Sequence, residues 1–94
     1  LVIRGIGPSL SNAGVSGALQ DPTLSVRDSN GSVLAFDDDW KQHQAADIQA
    51  TGLAPSNDRE SAVLVTLASG NYTATVSGVG NTTGIGLVEI YKIK

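Results

Sequence analysis

The sequence predicts an all-β fold, an antiparallel β-sandwich of jelly-roll or Greek-key type with one short helix near residues 40–50. Six short segments carry apolar residues in runs or in strict alternation, which is the pattern of buried and half-buried strands. Gly, Pro and Asn recur between these segments, and the Asn30-Gly31 pair between two apolar runs indicates a hairpin. The 94 residues are expected to form a single domain, residues 1–94.

Each strand is predicted where apolar side chains recur, namely at 1–6, 24–26, 33–36, 62–67, 72–76 and 87–93. The segment 7–22 has little apolar pattern, so it is predicted to be a long loop or to hold a weak strand around 15–19.

The single helix is predicted from a start signal. Asp39 is a suitable N-cap with Gln42 three residues later, and the residues that follow contain neither Gly nor Pro until Gly52. Gly52 suits a C-terminal cap, so the helix is expected to end near Thr51.

Composition excludes several classes of function. The chain has no Cys and one His, which rules out thiolate sites and a multi-His metal site within one chain. A net charge of -3 gives no electrostatic footprint for nucleic acid, and no apolar run is long enough to span a membrane. No catalytic constellation stands out, so the protein is not expected to be an enzyme. Low charge with abundant Gly, Ser, Thr and Asn favours an extracellular or cell-surface protein.

Two segments resemble the bacterial pre-peptidase C-terminal (PPC) domain: the 25–35 hairpin with the acidic run after it, and the 67–78 strand after Glu60-Ser61. The whole chain is still more similar to a repeat of large secreted bacterial surface proteins. The matching segments are 4–10, 21–28, 37–40, 54–62, 70–78 and 83–91. This resemblance implies a jelly-roll-like sandwich, an extracellular location, frequent calcium binding, and a non-catalytic binding or spacer role.

Acidic residues in two loops are candidate calcium ligands. Ca²⁺ takes six to eight oxygen ligands, and adjacent carboxylates repel each other unless a cation relieves them. The predicted ligands are Asp37, Asp38, Asp39, Asn57, Asp58 and Glu60. In the alternative interpretation Asp39 caps the helix, Asp37 and Asp38 are solvated, and Arg59 pairs with one of them.

Asparagines in predicted turns form three glycosylation sequons, at Asn30, Asn71 and Asn81. In the alternative interpretation these asparagines are unmodified turn residues.

Trp40 is either a carbohydrate-stacking platform or a core anchor, and its predicted position between helix and sheet favours the core anchor.

The N-terminal segment Leu1, Val2 and Ile3 is apolar on both faces, as a strand buried in a neighbouring subunit would be. The alternative is that the first and last strands pair within one domain. We therefore expect a non-catalytic secreted subunit that self-assembles into a filament, tube or surface layer and is stabilised by calcium, with terminal-strand exchange as one route of assembly. The alternative function is an accessory module that binds polysaccharide or a fibrous protein.

Overall fold

The computed structural model describes residues 1–68 and 70–92, and its strands confirm the all-β class. Two antiparallel three-stranded sheets make up the architecture. The strands are β1 Val2–Ile6, β2 Pro22–Asp28, β3 Val33–Asp37, β4 Ser61–Leu64, β5 Tyr72–Gly78 and β6 Leu87–Tyr91. All six lie where the apolar pattern predicts them; Ile93, the end of the predicted last strand, lies outside the described residues.

Each sheet has a central strand that pairs on both sides. In the first sheet β1 lies between β4 and β6, with Ile3 opposite Val63 on one side and Ile90 on the other. In the second sheet β2 lies between β3 and β5. The first and last strands described therefore pair within one domain, which is the alternative that the sequence left open.

A hydrophobic core joins the two sheets. Ile3 and Val63 of the first sheet pack with Leu24 and Val26 of the second, and all four are buried. A second buried cluster, formed by Trp40, Ile48 and Ala62, packs the segment between β3 and β4 against β4. In β2 and β5 the inward residues are mostly apolar and the outward ones polar, so alternation in the sequence determines which of their side chains face the core.

The β2–β3 hairpin closes at the predicted Asn-Gly turn. Gly31 has a φ of +84°, a conformation that L side chains rarely adopt. The carboxylate of Asp28 accepts hydrogen bonds from the N–H groups of Asn30 and Ser32 at 2.9 and 3.0 Å, which makes this turn an Asx turn.

The predicted single helix is two shorter pieces. A 3₁₀ turn covers Trp40–Gln42, and helix α2 covers Ala45–Ala50. The chain leaves helical geometry at His43 and Gln44, where the Gln44 side chain bonds to the backbone of Leu64. Asp39 occupies the N-cap position of the 3₁₀ turn, as predicted, but its side chain makes no capping hydrogen bond.

The segment 7–22 is mostly loop, as one of the two predictions had it, but it also holds the four-residue helix α1, Ser9–Asn12, which the sequence did not reveal. A second 3₁₀ turn covers Val79–Asn81. Among the described residues, no helix combines the length and apolar character needed to cross a membrane.

Candidate metal centre

Three aspartates from two separate segments meet at one end of the second sheet. One carboxylate oxygen each from Asp21, Asp38 and Asp39 lies within 4.8 Å of the other two. The Oδ1 atom of each is closed off from solvent and has no hydrogen-bond partner in the described part of the chain. We call these three residues the acidic triad.

Hairpin register brings the triad together. Asp21 directly precedes β2, and Asp38 and Asp39 directly follow β3. Because the two strands are antiparallel, the start of β2 lies beside the end of β3, with Leu24 opposite Asp37.

The hydroxyl of Ser61 holds the same two segments together. Its Oγ lies 2.7 Å from the carbonyl oxygen of Pro22 and 3.0 Å from that of Asp37, and it also contacts the carbonyl of Asp38. Ser61 itself is fully buried. The first residue of β4 therefore fixes the backbone on both sides of the triad.

Burial and the neighbouring carboxylates disfavour the ionised form of Asp38. Burial raises the pKa of Asp38, and the negative charges of Asp39 and Asp21 raise it further. The ion pairs found among the described residues, Arg4–Glu89 and Lys41–Asp58, include no triad member. The three side chains are half-buried, and the occluded oxygen of each lacks a partner among the described residues, so a bound cation would stabilise this end of the fold.

The donor set fits a hard divalent cation. All three side chains offer carboxylate oxygens, the ligands preferred by Ca²⁺ and Mg²⁺, and none offers nitrogen or sulfur. Three carboxylates supply between three and six ligand oxygens according to how many bind bidentately. Asp21, Asp38 and Asp39 would hold the ion, which would offset their repulsion and satisfy the Oδ1 atoms that now lack a partner.

The other predicted ligands lie elsewhere. Asp37 is buried at the end of β3, where its Oδ2 accepts the N–H of Ala62 at 2.9 Å. Burial raises the pKa of Asp37, while that hydrogen bond and His43 act in the opposite direction. Of the six residues predicted from the sequence, the structure brings Asp38 and Asp39 into the triad.

The second acidic loop is occupied by local contacts. Glu60 is 0% exposed and accepts hydrogen bonds from the α1 region, while Asp58 is exposed and pairs with Lys41 at 2.9 Å. The Asn57 side chain accepts the N–H of Arg59 at 2.9 Å. The alternative interpretation paired Arg59 with an acidic residue of the first loop. Among the described residues, the ion pair found here joins Lys41 and Asp58.

Asp21 was missed, although the sequence held a signal for it. Counting an uninterrupted antiparallel register outward from Asn30-Gly31 pairs Leu24 with Asp37. The structure has this pairing, although its register shifts between Val26 and Arg27, which the count does not include. The same count continues to place Asp21 beside the residues that follow Asp37. Asp21-Pro22 was interpreted only as a turn, so the position of Asp21 beside Asp38 and Asp39 was not predicted.

Trp40 is a core anchor rather than a carbohydrate platform. Trp40 is 3% exposed, and the Lys41 ammonium lies 5.5 Å from the ring centroid.

Of the sequon residues, Asn30 and Asn71 are exposed in loops, as glycan attachment requires, and Asn81 ends the second 3₁₀ turn. Glycosylation at these three positions stays a prediction.

The predicted assembly strand lies in the core of its own domain. Val2 is 0% and Ile3 2% exposed, and the Leu1 ammonium group donates a hydrogen bond to the carbonyl of Val65 at 2.9 Å. Exchange of this strand would require removing it from between β4 and β6.

Comparisons with protein-family models, with curated proteins and with solved structures each find no match. The resemblance to PPC-like repeats therefore stays a prediction, and the geometry of the acidic triad carries the argument about function.

Proposed function

We propose that this chain is a non-catalytic structural domain of the cell surface or extracellular space. One Ca²⁺ at the acidic triad stabilises its sandwich-like fold, and the domain associates with copies of itself. The observation that carries the proposal is the set of three Oδ1 atoms, from Asp21, Asp38 and Asp39, that are closed to solvent and lack a partner.

Occlusion of one oxygen on each of the three half-buried aspartates favours a structural ion over a catalytic one. A catalytic metal needs an open coordination position for water or substrate, whereas these oxygens face away from solvent. An ion here would tie the start of β2 to the end of β3, two segments already joined through Ser61. Calcium sites of extracellular modules bind in the range of about 0.1 to 1 mM, which suits three carboxylates and an external location.

Thermal unfolding with Ca²⁺ and with EDTA tests the calcium site. At about 100 times the dissociation constant, one bound ion stabilises a fold by about 2.7 kcal/mol, so Ca²⁺ should raise the Tm clearly. Asp38→Asn should abolish this gain. In EDTA the same variant should be more stable than the wild-type protein, because it removes a repulsive charge from the triad.

Asp58→Asn is the matched control, since it removes one exposed carboxylate outside the triad. It should keep the whole calcium response. A wild-type Tm that is indifferent to both Ca²⁺ and EDTA, or equal loss in the two variants, would refute the site. Isothermal titration calorimetry then gives the stoichiometry, expected to be one ion per chain.

A further inference from the structure

The outer edge of β4 is covered by other parts of the same chain. The Gln44 side chain donates to the carbonyl of Leu64 and accepts its N–H, both at 3.0 Å. The N–H of Ala62 donates to Asp37, and the carbonyl of Glu60 accepts the N–H of Trp40 at 2.9 Å. The alternate residues 60, 62 and 64 therefore have partners along the edge, which prevents pairing with another strand.

The other edge of that sheet, β6, is partly covered. Just before β6, the N–H of Leu19 donates to the carbonyl of Ile85 and the N–H of Ile85 donates to the carbonyl of Gly17, both at 2.8 Å. Within β6, Glu89 forms an ion pair with Arg4. A charged side chain and a covering segment both hinder addition of a strand.

Both edges of the second sheet, by contrast, carry less protection. A register shift interrupts β3 opposite Val26 and Arg27, and the hydrogen bonds that Ser61 and Ala62 donate to β3 reach only its last residue, Asp37. Among the described strands, β3 and β5 each pair with β2 alone. Strand β5 contains no charged residue and no Pro, and the one charged residue of β3, Asp37, is buried at its end. Strand β3 also exposes large apolar side chains, with Phe36 57% and Leu34 47% exposed.

We infer that the β3 edge of one copy pairs with the β5 edge of the next, so that the second sheet continues from molecule to molecule. This rests on the proposed self-association and assigns its surface. A second copy is the partner because the two less protected edges lie on opposite sides of one sheet. Such a contact is heterologous, so it propagates into a filament unless its rotation closes a ring.

The side-chain faces are compatible with this pairing. Phe36, Ser25 and Thr75 form one row across the outer face, in which Ser25 is opposite both of the others. In the continued sheet Phe36 of one copy would lie near the threonines of the next β5, where an aromatic and a β-branched residue pack well. No like charges would meet, although the chain is acidic overall.

Lysine substitutions on the row test the inference by sedimentation velocity of the calcium-loaded protein. Phe36→Lys blocks the β3 edge, and Thr75→Lys blocks the β5 edge; both side chains are exposed, so folding should be retained and is checked by circular dichroism. Each variant alone should associate about tenfold more weakly or worse, since a lysine on an edge strand hinders the addition of another strand. An equimolar mixture should form heterodimers that do not extend, because each variant keeps the edge that the other lacks.

Ser25→Lys is the matched control on the central strand of the same row. Pairing by edges leaves it unaffected, whereas stacking of sheet faces would be disrupted. Disruption by Ser25→Lys, loss from only one of the edge variants, or failure of the mixture to form heterodimers would overturn the inference. Wild-type assembly that no variant weakens would overturn this edge assignment alone, while a strictly monomeric wild-type protein would overturn the proposed self-association as well.

Discussion

Glu60 is buried completely, and its carboxylate organises the loop that follows β1. It accepts the backbone N–H groups of Gly7 and Ser9 at 2.9 Å and the Ser9 hydroxyl at 2.7 Å. It also accepts the N–H of Asn57 at 3.3 Å. Sequence reasoning placed this side chain among the calcium ligands, but three donors from the α1 region and the N–H of Asn57 occupy it instead.

Glu60→Gln should therefore destabilise the fold strongly. The amide keeps the volume but turns one acceptor into a donor that faces other donors, which leaves buried N–H groups unsatisfied. We expect a loss of about 3 kcal/mol in the free energy of unfolding, measured by urea titration. Asp58→Asn, at an exposed ion pair, should change it by less than about 0.5 kcal/mol; equal effects in the two variants would contradict this role of Glu60.

At the scale of elements, Gln44 explains why the predicted helix is broken. A continuous helix from Trp40 onward would require helical geometry at residue 44, whereas its observed φ and ψ are -111° and 30°. Its side chain satisfies both backbone groups of Leu64 on the outer edge of β4. Hydrogen bonds to the edge of β4 stabilise the fold more than a few additional helical residues would, because buried backbone groups need partners and short helices contribute little stability by themselves.

Gln44→Ala should weaken β4 in particular. We expect a loss of about 1 to 2 kcal/mol in the free energy of unfolding, together with faster hydrogen exchange at the Leu64 amide. Gln49→Ala, at an exposed position in α2, is the matched control and should change stability by less than about 0.5 kcal/mol. Unchanged exchange at Leu64 would show that the Gln44 contact does not protect the strand.

On the scale of the whole molecule, acidic groups concentrate at one end of the second sheet. Asp37 and Asp38 both have pKa values raised by burial, and Asp38 also faces the charges of Asp21 and Asp39. Between the usual carboxyl pKa of 3.8 and these raised values, the folded metal-free protein binds more protons than the unfolded chain. The contribution of these groups to stability therefore increases as the pH falls.

Metal-free protein in EDTA should accordingly gain stability from these groups as the pH falls from neutral through the raised pKa values, with no further gain below 3.8. With Ca²⁺ the trend reverses, since protons compete with the ion for the same oxygens. Tm measured against pH with and without Ca²⁺ checks both trends. Asp38→Asn should reduce the slope in EDTA; an unaltered slope would show that Asp38 does not produce it.

The sequence by itself determined the fold class, the approximate positions of six strands and the Asn30-Gly31 hairpin, because alternation and turn chemistry are local properties of the chain. It also singled out Asp38 and Asp39. Only the tertiary structure decided that Asp21 joins them and that Asp37 and Glu60 bond to backbone N–H groups instead. Whether a carboxylate joins a metal site or accepts hydrogen bonds depends on the donors and charges that other segments of the chain place beside it. The spacing of residues along one segment does not encode these contacts.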